Sequence, residues 1–217
     1  MAPGERKRIG RPPRLSRDEI VDAARQIIES DGVDALTMRR VADRVSSSPM
    51  AIYRHVRDRD ELLVGVLDRL VTELPAPRLP AEPRARLVRL WRFLHDGLAR
   101  HPWVVELLAQ GDVIAPAVLP TMERINASAM ACGLSTEEAA RAYRIVWGFT
   151  VGHLLIRLGA ARTDAREEHQ ALQTRVRTDV DARRWPALAA VAPHWAAARA
   201  RDTYDTDVAV LLTGLLP

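Results

Sequence analysis

The chain has 217 residues, 47% hydrophobic and 28% charged, with a formal charge of +4. That is enough material for one large or two modest domains with a buried core. The lone Cys132 excludes an intrachain disulfide and a cysteine-based zinc site and fits a reducing compartment. With no apolar run of about eighteen residues and no hydrophobic leader, the chain is expected to be cytoplasmic, with no membrane partner.

Charge is concentrated at the start. Arg6, Lys7, Arg8, Arg11, Arg14 and Arg17 stand against the single acid Glu5 in the first 17 residues, and Gly and Pro break the stretch. Such a cationic arm is the electrostatic footprint of a polyanion partner. Ser16-x-x-Glu19 is a capping box that opens a helix burying Ile20, Ala23, Ala24, Ile27 and Ile28, closed by Asp31-Gly32. In the next helix Met38, Val41, Ala42 and Val45 fall at i, i+3, i+4, i+7, one helical face. Three serines interrupt the pattern, and Ser48 then offers an N-cap with Pro49 at the first helical position. The short helix that follows turns Ile52 and Val56 inward and leaves Met50, Ala51, Tyr53, Arg54 and His55 outward. Two short helices joined by a tight polar turn make a helix-turn-helix, its second helix shaped to lie in a DNA major groove. Asp58-x-x-Glu61 starts a fourth helix with Leu62, Leu63, Val66, Leu67 and Leu70 inside, running to about residue 74.

Pro75, Pro77, Pro80 and Pro83 then exclude a helix interior and mark a boundary. Leu87, Leu90, Trp91, Leu94 and Leu98 define the next helix, stopped by His101-Pro102. A short helix spans about Trp103 to Ala109 and another about Leu119 to Ala131. Ser135-x-x-Glu138 opens the longest, running to about Gly159. Residues 162–184 are charged and weakly patterned, Pro186 and Pro193 bracket short helical pieces, and a last helix starts at Asp202 or Thr203 and ends at Leu216. Strand signals are nearly absent, so the fold class is all-α. The domains expected are a basic arm over 1–15, a helix-turn-helix domain with its connecting fourth helix over 16–74, a proline-rich linker over 75–83, and a larger helical domain over 84–217.

Residues 16–63 resemble the DNA-binding domain of the tetracycline-repressor (TetR) family of bacterial transcription regulators, on the continuous match DGVDALTMRRVADRV followed by IYRHVRDRDELL. The leading RIGRPPRLSR is similar to the basic arm many members carry. One departure is visible: Ser46 stands where the turn between the helices usually holds glycine, a backbone region serine enters only at a cost. The segment WPALAAVAPHWAAARARDTYDTDVAVLLTGLL resembles the last helices of the tetracycline-repressor-type C-terminal domain. The resemblance implies a homodimeric repressor that leaves its operator DNA when a small-molecule effector binds among the C-terminal helices. A transcriptional activator and an architectural DNA-binding protein are the alternatives, and an all-α enzyme a remote one.

In that frame Arg39 matches a family position that reaches base edges, where arginine grips guanine bidentately. Met50 and Ala51 could pack on thymine methyls, and Ser48 could donate to base or phosphate. Tyr53, Arg54, His55 and Arg59 suit phosphates, Thr37 sits at a helix N-terminus with backbone donors to add, and Arg11 either threads the minor groove or belongs to a merely solubilising tail. Trp91, His95, Trp103, Leu107, Met122, Ile125, Tyr143 and Trp147 are the candidate effector residues, large and amphipathic, although each also suits simple core. Gly148, Gly152 and Gly159 on the long helix and Val208, Leu211, Leu212 and Leu215 on the last could form the dimer face. His101 and His153 lack a second ligand at i+3 or i+4, so no metal is expected. No nucleophile elbow, phosphate loop or cofactor motif occurs, so neither catalysis nor a cofactor is expected.

Overall fold

The computed structural model describes residues 15–111, 113–164 and 180–217. Arg11 and the rest of the basic arm through residue 14 lie outside the described residues, as do residues 165–179 of the charged stretch. The described residues are helical, without a strand. They divide into two compact units, Met1–Leu70 and Val71–Pro217.

The first unit holds α1 (Arg17–Asp31), a 3-10 turn (Val33–Ala35), α2 (Met38–Arg44), α3 (Pro49–Ile52) and α4 (Arg59–Thr72), whose end runs past the division between the units. The capping box at the head of α1 forms as expected: Ser16 Oγ accepts from the Glu19 amide, and a Glu19 carboxylate oxygen accepts from the Ser16 amide at 2.8 Å. These bonds hold the Glu19 carboxyl below its ordinary range. Each such cap is worth about 1 kcal/mol. Ile20, Ala24, Ile27 and Ile28 of α1 close a core with Leu36, Val41, Ala42, Ile52, Val56, Leu62, Leu63 and Val66.

Helix α2 ends one residue earlier than its apolar spacing predicts. Val45 is its C-cap and only half buried, because Ser46 turns the chain out of the helix at φ 51°. Ser46 is the one non-glycine residue with positive φ among the described residues, in the position where glycine was expected. The Ser46 amide donates to Asp43 O at 3.2 Å and the Ser47 amide to Ala42 O at 2.9 Å, so the turn satisfies carbonyls the helix leaves open.

The second unit contains α5 (Pro83–Ala99), α6 (Pro102–Gln110), a 3-10 turn (Pro116–Val118), α7 (Leu119–Ala131), α8 (Thr136–Asp164), α9 (Pro186–Ala200) and α10 (Tyr204–Leu215). Helix α5 is central, packing against α6, α7, α8 and α10. Leu87, Leu90, Trp91 and Leu94 meet Ile125, Ala129, Ala139, Ala142, Val146, Tyr204, Val208 and Leu212 in one cluster. Leu74 packs over Gly97 of α5, where an added Cβ would stand 2.8 Å from Leu74 Cδ1 and would make that side chain shift. Helix α8 is capped by the expected Ser135/Glu138 box and runs five residues beyond the expected Gly159, to Asp164.

Pro193 does not separate two helical pieces: it lies inside the single helix α9. Alanine is the best helix former, and the alanines on either side let the helix continue where proline removes one backbone bond. None of the described side chains of α9 is buried, and Leu188 and Val191 are among the exposed apolar residues.

Candidate nucleic-acid interface and effector chamber

The candidate DNA-binding face is built by two caps. Thr37 Oγ1 accepts from the Arg40 amide at 3.2 Å and starts α2; Ser48 Oγ accepts from the Ala51 amide at 3.3 Å and starts α3, with Pro49 at its first position. The helix expected to run on to Val56 ends at Ile52 and gives way to a turn over 53–55, yet Ile52 and Val56 both face inward and are buried. Met50 is 69% exposed and Tyr53 50%, with Ser48 and Arg54 also exposed and Ala51 and His55 half buried beside them. Thr37 and Arg39 are exposed on α2 and its cap. Other arginines nearby are tied down: Arg40 pairs with Asp31, Arg44 donates to Gln26 Oε1 at 3.1 Å, and Arg57 pairs with Glu61 at 3.1 Å.

Arg59 departs from the expected phosphate role. Its Nε donates to Leu36 O at 3.1 Å and a terminal nitrogen to Val33 O at 2.8 Å, so the half-buried guanidinium pins the turn that leads into α2. Nothing in the sequence signals a bond across 23 and 26 residues.

Among the candidate effector residues, Trp91, Ile125 and Tyr143 line a void of about 10 Å³ with Leu87, Ala129, Val146 and Leu212, room for one water. Small-molecule pockets run to about 300–1,000 Å³, so in this conformation side chains fill the space. Trp91 and Ile125 are fully buried, and Trp91 packs at 5.2 Å from Tyr143, which stacks on Trp147 at 6.5 Å. Burial raises the Tyr143 hydroxyl above its ordinary value. Trp103, Leu107 and Met122 are half buried, and the indole nitrogen of Trp103 is buried without a partner among the described residues. His95, only 5% exposed, stacks on Tyr204 at 4.1 Å, and its Nδ1 lies 3.1 Å from Asp96 Oδ1.

Sequence reasoning missed a polar cluster beside these residues. Thr150 Oγ1 donates to Val146 O at 2.7 Å, which leaves Tyr204 Oη to donate to Thr150 at 2.7 Å, with Trp91 O a weaker acceptor at 3.4 Å. Burial drives the Tyr204 hydroxyl well above the usual tyrosine range. Burial likewise holds His153 below the ordinary histidine range, and nearby His95 and Arg157 push the same way. Arg92 ties α5 to the head of α10, reaching Asp96 at 2.8 Å, Asp202 at 2.9 Å and Asp205 at 3.6 Å; its hydrogen bond lowers the Asp202 carboxyl.

The expected dimer face needs a correction on α10. Val208 and Leu212 are buried in the protomer's own core, because they lie one turn apart on the inner side of the helix. Val210, 67% exposed, and Gly214 occupy the outer side, with Leu211 and Leu215 half buried between. On α8, Gly148 and Gly159 are exposed and Gly152 is half buried, and a Cβ at any of the three would meet nothing within 4 Å. Ile145 and Ile156 extend that bare stripe, Ile156 at 71% exposure.

Among the described residues no group of three or more His, Cys, Asp and Glu could hold a metal, and no helix is long and apolar enough to cross a membrane.

Comparison with known proteins agrees with this architecture. Residues 20–66 match the family described as "Bacterial regulatory proteins, tetR family", and residues 76–216 match "Tetracyclin repressor-like, C-terminal domain". The chain is 32% identical over 151 residues, 69% of its length, to the HTH-type transcriptional repressor DrrR1 of Streptomyces coeruleorubidus, and it spans 56% of that relative. It is 28% identical over 177 residues to the HTH-type transcriptional repressor KstR of Mycobacterium tuberculosis, covering 76% of this chain and 80% of KstR. The Streptomyces coelicolor TetR family protein ActR in complex with actinorhodin superposes with a TM-score of 0.77 at 25% identity, over 94% of this chain and 96% of ActR. Two capped helices with an exposed reading face, followed by a helical second unit matched along its length, place this chain in the tetR family of bacterial regulatory proteins.

Proposed function

We propose that the chain is a homodimeric transcriptional repressor, acting in the bacterial cytoplasm, that binds operator DNA and releases it when a small-molecule effector enters the second unit. The observation that carries this reading is the outward set of Arg39, Ser48, Met50, Tyr53 and Arg54 on a frame whose inward residues are wholly buried. Arg39 supplies bidentate base contact, Met50 and Ala51 contact thymine methyls, and Tyr53, Arg54 and His55 hold the phosphates on either side.

The bare stripe of Ile145, Gly148, Gly152, Ile156 and Gly159, with Val210 and Gly214, supports a four-helix contact between two copies. Two copies carry two reading helices, which match half-sites about 34–36 Å apart on one face of the duplex. The effector binds the DNA-incompetent arrangement more tightly than the competent one, and α4 carries the change from one unit to the other. The repressor names of DrrR1 and KstR and the ligand-bound ActR structure support the same reading.

The test is a fluorescence-anisotropy titration with the promoter region beside the chain's own gene and with random duplex. Binding at least about a thousandfold tighter to a near-palindromic site is expected. A ratio near one, or no release of DNA by any compound of a small-molecule screen, overturns repressor function or its ligand control respectively.

A further inference from the structure

The second unit sets two imidazoles against each other, His95 of α5 and His153 of α8, edge to face with centroids 5.4 Å apart. Nε2 of each ring is buried without a hydrogen-bond partner among the described residues. Tyr204 of α10 closes the third side, stacked on His95 at 4.1 Å and edge-on to His153 at 5.4 Å, and Phe149 lies 5.8 Å from His153. The rings pack on one another, and a proton is the one addition that needs no space.

The surroundings suit neutral rings. Asp96 is ion-paired with Arg92 and lies 3.1 Å from His95 Nδ1, so that nitrogen carries the neutral ring's proton, an assignment made from the hydrogen-bond network. A second proton on His95 goes to Nε2, which faces no acceptor. The other carboxylates near the pair are engaged: Asp202 and Asp205 by Arg92 at 2.9 and 3.6 Å, and Asp207 by Thr203 Oγ1 at 2.7 Å. Tyr204 gives its hydroxyl proton to Thr150, and Arg157 adds positive charge from the same helix as His153. Of the other two helices packed on α5 and α8, α6 brings the half-buried Glu106, while Glu123 and Arg124 of α7 are exposed to water. Burial already holds His153 below the ordinary histidine range. Two positive rings this close and shielded from water repel, so the packed pair holds at most one charge.

The cluster ties α5, α8 and α10 together next to the end of α4. Gly97, two residues after His95, lies under Leu74, which stands two residues past the last residue of α4. Parting the rings therefore shifts the helix on which the end of α4 rests.

We propose that the His95–His153 pair is an acid latch: packed and at most singly charged, it holds the arrangement that binds operator, and parted, with both rings charged, it lets the operator go. A fall in pH then releases DNA without a small molecule. This rests on the repressor reading above and adds a second control to it. The parted arrangement binds at least one more proton, on a ring titrating near the ordinary value of about 6.5. Going from about pH 7.5 to about pH 5.0 favours it by roughly thirtyfold, which makes an arrangement populated at about 5–10% the major one.

The test is a set of anisotropy titrations of the full chain at those two pH values, with a near-palindromic operator and with random duplex. The ratio of the two affinities cancels the attraction that protonated surface groups such as His55 add for any DNA. It should fall by about twofold to fourfold at the lower pH, with helicity by circular dichroism unchanged. His153→Phe keeps a ring in the cluster but removes its proton, and should hold the ratio at its higher value. Nitrogen NMR of the wild-type histidines does not depend on how that variant folds. By reciprocity, bound operator should lower the pH at which His153 titrates.

A high ratio that stays constant with pH, or a His153 midpoint indifferent to operator, overturns the latch and leaves ligand-controlled repression standing. A ratio near one already at the higher pH overturns repression and latch together. Loss of helicity along with DNA binding overturns the latch in favour of acid unfolding, and a folded His153→Phe variant that still releases operator on acidification overturns it by moving the sensor elsewhere.

Discussion

Ser46 offers a direct measurement of what an unusual backbone angle costs. It sits at φ 51°, is exposed, and has no side-chain bond that a substitution would forfeit. The left-handed conformation costs a side-chain-bearing residue about 1–2 kcal/mol. Glycine removes that cost but brings about 0.5–1 kcal/mol of extra chain entropy to the unfolded state. Ser46→Gly should therefore stabilise by about 0.5–1 kcal/mol, raising the melting temperature by about 1–4 °C for a chain of this size. Ser46→Val, β-branched and disfavoured at positive φ, should destabilise by about 1 kcal/mol or more. Urea denaturation followed by circular dichroism measures both, with the slope against urea unchanged because the same surface is exposed. The turn also sets α3 against α2 through the Ser46 and Ser47 amides, so DNA affinity should stay within about twofold in the glycine variant. A glycine variant less stable than wild type would refute the reasoning, since it would mean that serine is held there by something other than tolerance of strain.

Other expectations follow from neighbouring contacts. Arg59→Ala should cost about 1–2 kcal/mol, reduced from the usual range for charged hydrogen bonds because the group is half exposed, and Arg59→Lys should restore about half. The slope of log affinity against log salt for DNA should stay unchanged in Arg59→Ala; a slope smaller by about one would reinstate a phosphate contact. For His153, the unfolded chain takes up a proton near pH 6.5 while burial keeps the native ring neutral to lower pH. Stability supplied by the neutral ring is thus complete above that value and is lost as pH falls below it. His153→Phe should show a smaller drop in urea midpoint than wild type between about pH 7.5 and pH 5.5, and equal drops would count against a buried neutral ring. Gly152→Leu, at a position where an added Cβ meets nothing within 4 Å, should leave helicity intact and yield monomers in analytical ultracentrifugation; a stable dimer would move the interface elsewhere.

Much of the helical frame was legible because its signals are local. The boxes at Ser16 and Ser135 announce α1 and α8, and prolines at the first or second position announce α3, α5, α6, α7 and α9. The outward set on α3 and the turn after it follows from two buried anchors four residues apart, Ile52 and Val56. What the sequence could not disclose is the pairing of distant side chains. Arg92 and Asp202 stand 110 residues apart, and Thr150 and Tyr204 54. Spacing arguments applied to His153 searched only its own helix and so missed His95 on α5. On α10 the apolar pattern runs around the helix, so periodicity alone assigned Val208 and Leu212 to a surface that Val210 occupies.

The Arg92 cluster has a consequence for which mutations the chain can survive. One guanidinium serves three carboxylates: Asp96 on α5, Asp205 at the head of α10 and Asp202 two residues before that helix starts. Losing any one acid leaves the arginine two partners, so each acid can drift in evolution. Losing the arginine leaves Asp96, Asp202 and Asp205 repelling one another where the last helix begins. Redundancy on one side of the cluster is thus bought by dependence on the other, and sequence variation among the acids should exceed variation at position 92.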